Sequence, residues 1–388
     1  MRTVRDIPVL GNIPVLVRAS LNVPIEDGKV TNDYRLRRAL LTIKYLTERN
    51  ARVILISHLG EKGTETLAPV AEALGKLIPN VSFLGETIGP RAREAIHNLS
   101  AGSVLVLENL RRNNGEKENS LAFAQELATL ADVFVQDSFD TCHRSHASMI
   151  TVPTLLPSYA GLVVEEEVHE LTRALAPAKE SLAIIGGAKF STKEAVLERL
   201  LAAYGNVFVG GALANDFLKA SGYEVGKSLV SITGPGADND AIKKILANPK
   251  LVIPVDSLVI PFNLMDTPGA RAHARVATNG DVKPDEIILD HGPATSALLA
   301  AHTAKAKDIL WNGPLGMYES GFTDATNSLA KAIAASGVHS VIGGGDTIAA
   351  IESLGLLPRF SFVSTGGGAM LDFLAEGTLP GLDALNPH

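Results

Sequence analysis

Val15-Leu-Val17, Asp33–Arg49 and Val53-Ile-Leu-Ile56 form one repeat of the pattern that decides the fold. A short apolar run is followed by a longer stretch with apolar residues at helical spacing, and then by a second apolar run. Such alternation predicts parallel strands covered by helices on both faces. The rhythm continues outward. Val104–Leu107 and Val133–Val135 read as further strands, with helices at Leu67–Leu77 and Leu121–Leu130. In the second half, strands are expected at Leu182–Ile185, Val207–Val209, Leu251–Val255, Ile309–Trp311, Val341–Ile342 and Phe362–Val363. Helices are expected there at Lys193–Ala203, Ala241–Ala247, Ser296–Ala304, Thr326–Ser336 and Ile348–Leu354. The fold class is α/β, with parallel sheets throughout.

A chain of 388 residues is too long for one ordinary domain, so two are expected. The boundary reads near Pro153–Gly161, followed by a connecting helix over Leu162–Leu175. Its acidic run Glu165-Glu-Glu167 reads as a solvated face. Gly210–Gly211 and Gly234-Pro-Gly236 read as loops. The formal charge of −7 argues against a nucleic-acid or anionic-membrane partner. No apolar run reaches the roughly 18 residues of a membrane span. Cys142 is the single cysteine, which suits a reducing, cytoplasmic setting.

An acidic chain that binds an anion must gather its few basic residues locally. Arg18, His58, Arg111 and Arg144 lie at or just past strand ends, where open parallel sheets bind ligands, and Arg35 opens the first long helix. Together they suggest a pocket for a small polyanion, because guanidinium donors match carboxylate and phosphate oxygens. The second half carries glycine turns after strands: Ile185-Gly-Gly-Ala-Lys189, Gly210-Gly-Ala-Leu213, Val341-Ile-Gly-Gly-Gly-Asp-Thr347 and Ser364-Thr-Gly-Gly-Gly368. Glycine lets backbone approach a phosphate closely, so a nucleotide site is expected there. Asp346 could hold Mg²⁺ beside phosphates or serve as an N-cap. Gly222–Ser228 misses the P-loop spacing by one residue, and no Gly-x-Gly-x-x-Gly is present.

In this order, Arg18-Ala-Ser-Leu-Asn-Val-Pro24, Ser57-His-Leu-Gly60, Leu107-Glu-Asn-Leu-Arg111, Thr141-Cys-His-Arg-Ser-His146, Gly186-Gly-Ala-Lys189, Pro254-Val-Asp256, Trp311-Asn-Gly-Pro-Leu-Gly316, Gly343-Gly-Gly-Asp346 and Ser364-Thr-Gly-Gly-Gly368 resemble phosphoglycerate kinase. The resemblance implies two doubly wound parallel-sheet domains joined by a hinge helix, in a monomer. The implied domains are 1–160 for 3-phosphoglycerate and 176–378 for ATP or ADP with Mg²⁺. The hinge helix is 161–175, and 379–388 returns to the first domain. The resemblance also implies catalytic roles for Arg35, Lys189 and Gly345. Ser20, Leu21, Asn22, Arg35, His58, Leu59, Gly60, Glu61, Arg111 and Arg144 would surround 3-phosphoglycerate. Lys193, Glu319, Gly344, Gly345, Asp346 and Thr347 would hold the nucleotide, with Asp346 on the metal.

Two positions depart from the family's pattern: Ser20 stands for an aspartate and Glu61 for an arginine. Lys62, beside Glu61, is a candidate to replace the lost cation. These changes keep an alternative open, a nucleotide-binding protein on the same scaffold with an eroded substrate site. Phosphoryl transfer to a carboxylate needs no general base, since the nucleophile is already ionised at neutral pH. It asks for positioning and charge neutralisation, which cations and backbone donors supply.

Overall fold

The computed structural model describes residues 1–231 and 239–386. The loop expected at Gly234-Pro-Gly236, and residues 387–388 of the returning tail, lie outside the described residues. The chain divides into two compact units. One is Met1–His169 with the segment from Glu376; the other is Glu170–Ala375. The division falls inside the helix Leu162–Ala174.

In the first unit the strands are β1 (Pro14–Ala19), a small hairpin of β2 (Ile25–Glu26) and β3 (Lys29–Val30), β4 (Arg52–Ile56), β5 (Val81–Leu84), β6 (Val104–Leu107), β7 (Val133–Asp137) and β8 (Ser158–Ala160). All but the hairpin form one six-stranded sheet in the order β5-β6-β4-β1-β7-β8, and every neighbouring pair is parallel. Period-two side-chain direction divides the core. Val15, Val17, Val53 and Leu55 pack with Leu36 and Ile43 of the helix Tyr34–Thr47. Leu16, Ile54 and Ile56 pack on the other face with Phe123 and Leu127 of the helix Leu121–Ala128. Burying both faces explains why these strands read as continuous apolar runs.

In the second unit, β9 (Ser181–Ile185), β10 (Asn206–Val209), β11 (Leu251–Val252), β15 (Asp308–Asn312), β16 (His339–Gly343) and β17 (Phe362–Val363) form a parallel sheet ordered β11-β10-β9-β15-β16-β17. Parallel pairing is not universal, however. β12 (Asp256–Pro261), β13 (Arg275–Thr278) and β14 (Glu286–His291) form an antiparallel sheet ordered β13-β12-β14. The strand expected over Leu251–Val255 therefore stops at Val252, and the chain turns into β12 four residues later.

The connecting helix starts against β7. The Asp137 carboxylate accepts the Val163 amide at 3.0 Å, and the Thr42 hydroxyl accepts that of Leu162 at 2.8 Å. The acidic run is only partly a solvated face, because Glu167 is fully buried. No helix among the described residues is long and apolar enough to cross a membrane.

Candidate active site

The first unit gathers polar side chains at the carboxyl ends of β1, β4, β6 and β7. Arg18 is not among the ligand candidates the structure leaves accessible. Its side chain is fully buried and donates to Ser148 Oγ, Ala19 O, Ser57 Oγ, Ser138 Oγ and His58 Nδ1. The contact to His58, at 2.9 Å, has a chemical consequence. Arg18 can only donate, so His58 Nδ1 accepts and its proton sits on Nε2. Burial first, and the Arg18 charge second, hold the imidazole far below its usual range. His58 is thus a neutral hydrogen-bond donor.

Around it the loops are tied together by backbone. Asn22 Oδ1 accepts the Gly60 amide at 3.1 Å, and Arg35 donates to Asn22 O at 2.9 Å. Leu21 presents its amide to Ser57 Oγ. Asn109, which the sequence reading quoted but gave no role, holds Leu59 through both its amide and its carbonyl and also accepts the Arg111 amide. Arg111 donates to Gly60 O at 2.6 Å and lies 3.3 Å from Glu61 Oε2. Its buried Nε finds no acceptor among the described residues.

Arg35 pairs with the buried Asp140 at 3.4 Å. Burial pushes that carboxyl up, yet Arg35 and its other neighbours hold it below the usual carboxylate range. Arg144 is exposed. Ser20 is buried, and its hydroxyl has no partner among the described residues. The Lys117 ammonium also meets the Glu61 segment, at Glu61 O.

The second unit brings its glycine turns together at the carboxyl ends of β9, β10, β15 and β16. A cavity of about 300 Å³ is walled by Gly187, Gly211, Leu289, Pro314, Glu319 and Asp346, among others. The approach of Gly186 and Gly313 shows why glycine is needed. A Cβ on Gly186 would sit 2.2 Å from Pro314 O, and one on Gly313 would sit 2.6 Å from Gly186 C. Lys193 caps the helix Glu194–Ala203, and its Cε lies 3.5 Å from where a Gly187 Cβ would be. Desolvation pulls its ammonium down to about 8, against Asp372. An anion brought beside it would restore its charge preference.

Lys189 is exposed on the loop after β9. Gly344, at φ 95°, precedes the helix Gly345–Ser353, so Asp346 is not the N-cap; it is exposed in the first turn. Thr347 is buried, and its hydroxyl accepts the Gly313 amide at 3.0 Å, tying the turns after β15 and β16 together. Glu319 is exposed on the short helix Tyr318–Ser320. The structure describes these two clusters, each within its own unit.

A neutral histidine donor among arginines, and a glycine-walled cavity with lysines nearby, suit a kinase, an enzyme that transfers phosphate. The phosphoglycerate kinase family model matches residues 4–377. The chain is 43% identical to a phosphoglycerate kinase of Azorhizobium caulinodans over 387 residues, covering 96% of each. It is 40% identical to one of Roseiflexus sp. over 396 residues, covering 99% of each. Among solved structures, phosphoglycerate kinase from Coxiella burnetii matches with a TM-score of 0.84 and 39% identity, over 99% of this chain and 98% of that one. The Pyrococcus horikoshii enzyme matches with a TM-score of 0.87 and 32% identity, over the same shares. The chain belongs to the phosphoglycerate kinase family. Nothing in these comparisons favours a binding-only protein.

Proposed function

We propose that the chain reversibly transfers a phosphoryl group between ATP and the carboxylate of 3-phosphoglycerate, in glycolysis and gluconeogenesis. The observation that carries this reading is the state of His58. With Nδ1 taken by Arg18, the histidine at the centre of the cationic cluster is a donor and not a base. That suits a reaction whose nucleophile is already a carboxylate.

In this reading Asn22, His58, Arg111 and Arg144 hold the substrate, with Arg35 at its reacting carboxylate. The Leu21, Leu59 and Gly60 backbone supports them, and Ser20 and Glu61 line the same place. Lys193 and Glu319 hold the nucleotide with the Gly344–Thr347 turn, Gly345 lying next to the transferred group. Lys189 neutralises the charge of the transferring phosphoryl.

Among the described residues no three His, Cys, Asp or Glu side chains gather into a metal-holding group. A magnesium ion fits nonetheless, because it is usually held by one or two carboxylates together with substrate phosphates. Asp346 would hold it, and the ion would supply neutralisation of phosphate charge.

Because the two ligands belong to different units, transfer requires the units to close, with helix Leu162–Ala174 as the hinge. Scattering should show compaction only with both ligands present; equal compaction with ATP alone would sink that part. The reading extends to a cytoplasmic monomer, in keeping with the family and with the single buried thiol of Cys142. Sedimentation as a dimer would overturn the monomer. An assay that couples ADP formation to ATP and 3-phosphoglycerate tests the whole; no turnover with both substrates refutes it.

A further inference from the structure

We infer that His291 is a positioning residue for the nucleotide cavity, a step that rests on the nucleotide reading of the second unit. His291 ends β14, outside the main parallel sheet, and is 3% exposed. Its Nε2 accepts the Gly211 amide at 3.3 Å. Gly211 and the neighbouring Ala212 both line the cavity, as does His291 itself.

The ring is fitted to this turn on more than one side. It meets Phe208 of β10 edge-on, with centroids 5.5 Å apart and planes at 88°. A Cβ on Gly210 would come 2.9 Å from Nε2 and 2.6 Å from Leu315 Cδ2. Gly211 has φ +63°, and a Cβ there would sit 3.0 Å from both Gly187 N and Pro314 O. The turn after β10 is therefore wedged between the imidazole and the turns after β9 and β15.

Protonation state completes the case. Burial pulls the imidazole down to about 4, against Asp256, so the ring is neutral at neutral pH. With Nε2 accepting, the proton lies on Nδ1, which has no partner among the described residues. A buried donor without an acceptor is costly, and an apolar side chain of similar size would avoid that cost. What the imidazole adds is the acceptor for Gly211. It fixes the backbone amide of Gly211, a residue of the cavity wall.

The test compares His291→Gln, which keeps an acceptor at the reach of Nε2, with His291→Leu, which has none. His291→Leu should raise the Michaelis constant for ATP about fivefold, the scale of one neutral hydrogen bond. The constant for 3-phosphoglycerate and the turnover should stay within twofold, and His291→Gln should restore the ATP value. Equal behaviour of the two variants, or an unchanged ATP constant in both, overturns the proposal. Amide exchange in the parent protein gives an arm free of folding defects. Gly211 should be protected at pH 7 without ligand, and exchange at the rate of an open amide also overturns the role. ADP titrated calorimetrically into the parent separates the two readings. A parent that binds no ADP refutes the nucleotide site and this role with it, whereas binding with identical variants refutes the role alone.

Discussion

Glu61 Oε2 lies 3.3 Å from Arg111 Nη1, the nitrogen that also donates to Gly60 O at 2.6 Å. The pair is lopsided: the Arg111 side chain is 5% exposed and that of Glu61 is 86% exposed. A carboxylate so open to water costs little to move away. It nevertheless occupies a guanidinium that the proposed function gives to the substrate.

Replacing Glu61 by arginine should therefore tighten 3-phosphoglycerate. An exposed ion pair is worth roughly 0.2–1 kcal/mol, and reversing the sign acts twice, so a gain of about 2- to 30-fold is expected. The Michaelis constant at low and high ionic strength checks this, and the gain should shrink with salt. No change at either salt would mean that the loop after His58 does not face the substrate.

Lys189→Ala should lower turnover by about 10²- to 10³-fold, the effect of removing one preorganised group from a developing charge. Lys189 is exposed on a glycine loop, so the fold should tolerate the change. ADP binding by calorimetry should move little. Turnover within threefold of the parent would take Lys189 out of the mechanism.

His58 should remain a neutral Nε2–H imidazole from pH 8 down to pH 5. Nitrogen-15 shifts of the ring, assigned with a His58→Gln variant, read the tautomer directly. An imidazolium signal appearing within that range would contradict the Arg18-to-Nδ1 bond and the donor role built on it.

Asp137 carries a pH signature. Burial pushes its carboxyl up to about 7, although Thr42 and the Val163 and Val164 amides favour the anion. The unfolded carboxyl titrates near 3.8. Between these values the folded chain binds the extra proton, so this group makes stability fall as pH rises, by at most about 1.4 kcal/mol per unit. The buried His58 and His291 and the half-buried His146, all held low, tilt the curve the other way. Comparing Asp137→Asn with its parent cancels them. The variant should gain stability relative to the parent between pH 5 and pH 8, read from denaturant midpoints. An unchanged gap between the two proteins would contradict the raised carboxyl.

Most strands of the parallel sheets were legible because they are buried on both faces and appear as unbroken apolar runs; β5, only partly buried, and the three-residue β8, inside the expected boundary segment, were not. The antiparallel sheet was not. In β12 the register shifts between Leu258 and Val259, which breaks period-two alternation. Its buried Asp256 and Ser257 also look like loop residues, since nothing nearby in sequence announces that Asp256 takes the Ala294 and Thr295 amides. Arg18 misled for a related reason. On a strand buried along its length, sequence does not say which way one polar side chain points. Its partners Ser57, Ser138 and Ser148 lie 39 to 130 residues away. The candidates His58, Arg111 and Arg35 stood out because each follows a strand or opens a helix, whereas Asn22 and Gly60 were singled out only by the family resemblance. Asn109 and His291 act through backbone amides, a role that leaves no chemical mark in the sequence.

The segment from Glu376 packs into the first unit: Leu379, Leu382 and Leu385 are buried, and the Gly381 amide donates to Cys142 O at 2.8 Å. On the ribosome this piece emerges after the whole of the second unit. The half whose strands are translated earliest is thus the half completed last, and a premature stop before Glu376 is a lesion of the opposite end of the protein. Limited proteolysis of a chain ended at Ala375 should cut within Met1–His169 before it cuts within Glu170–Ala375.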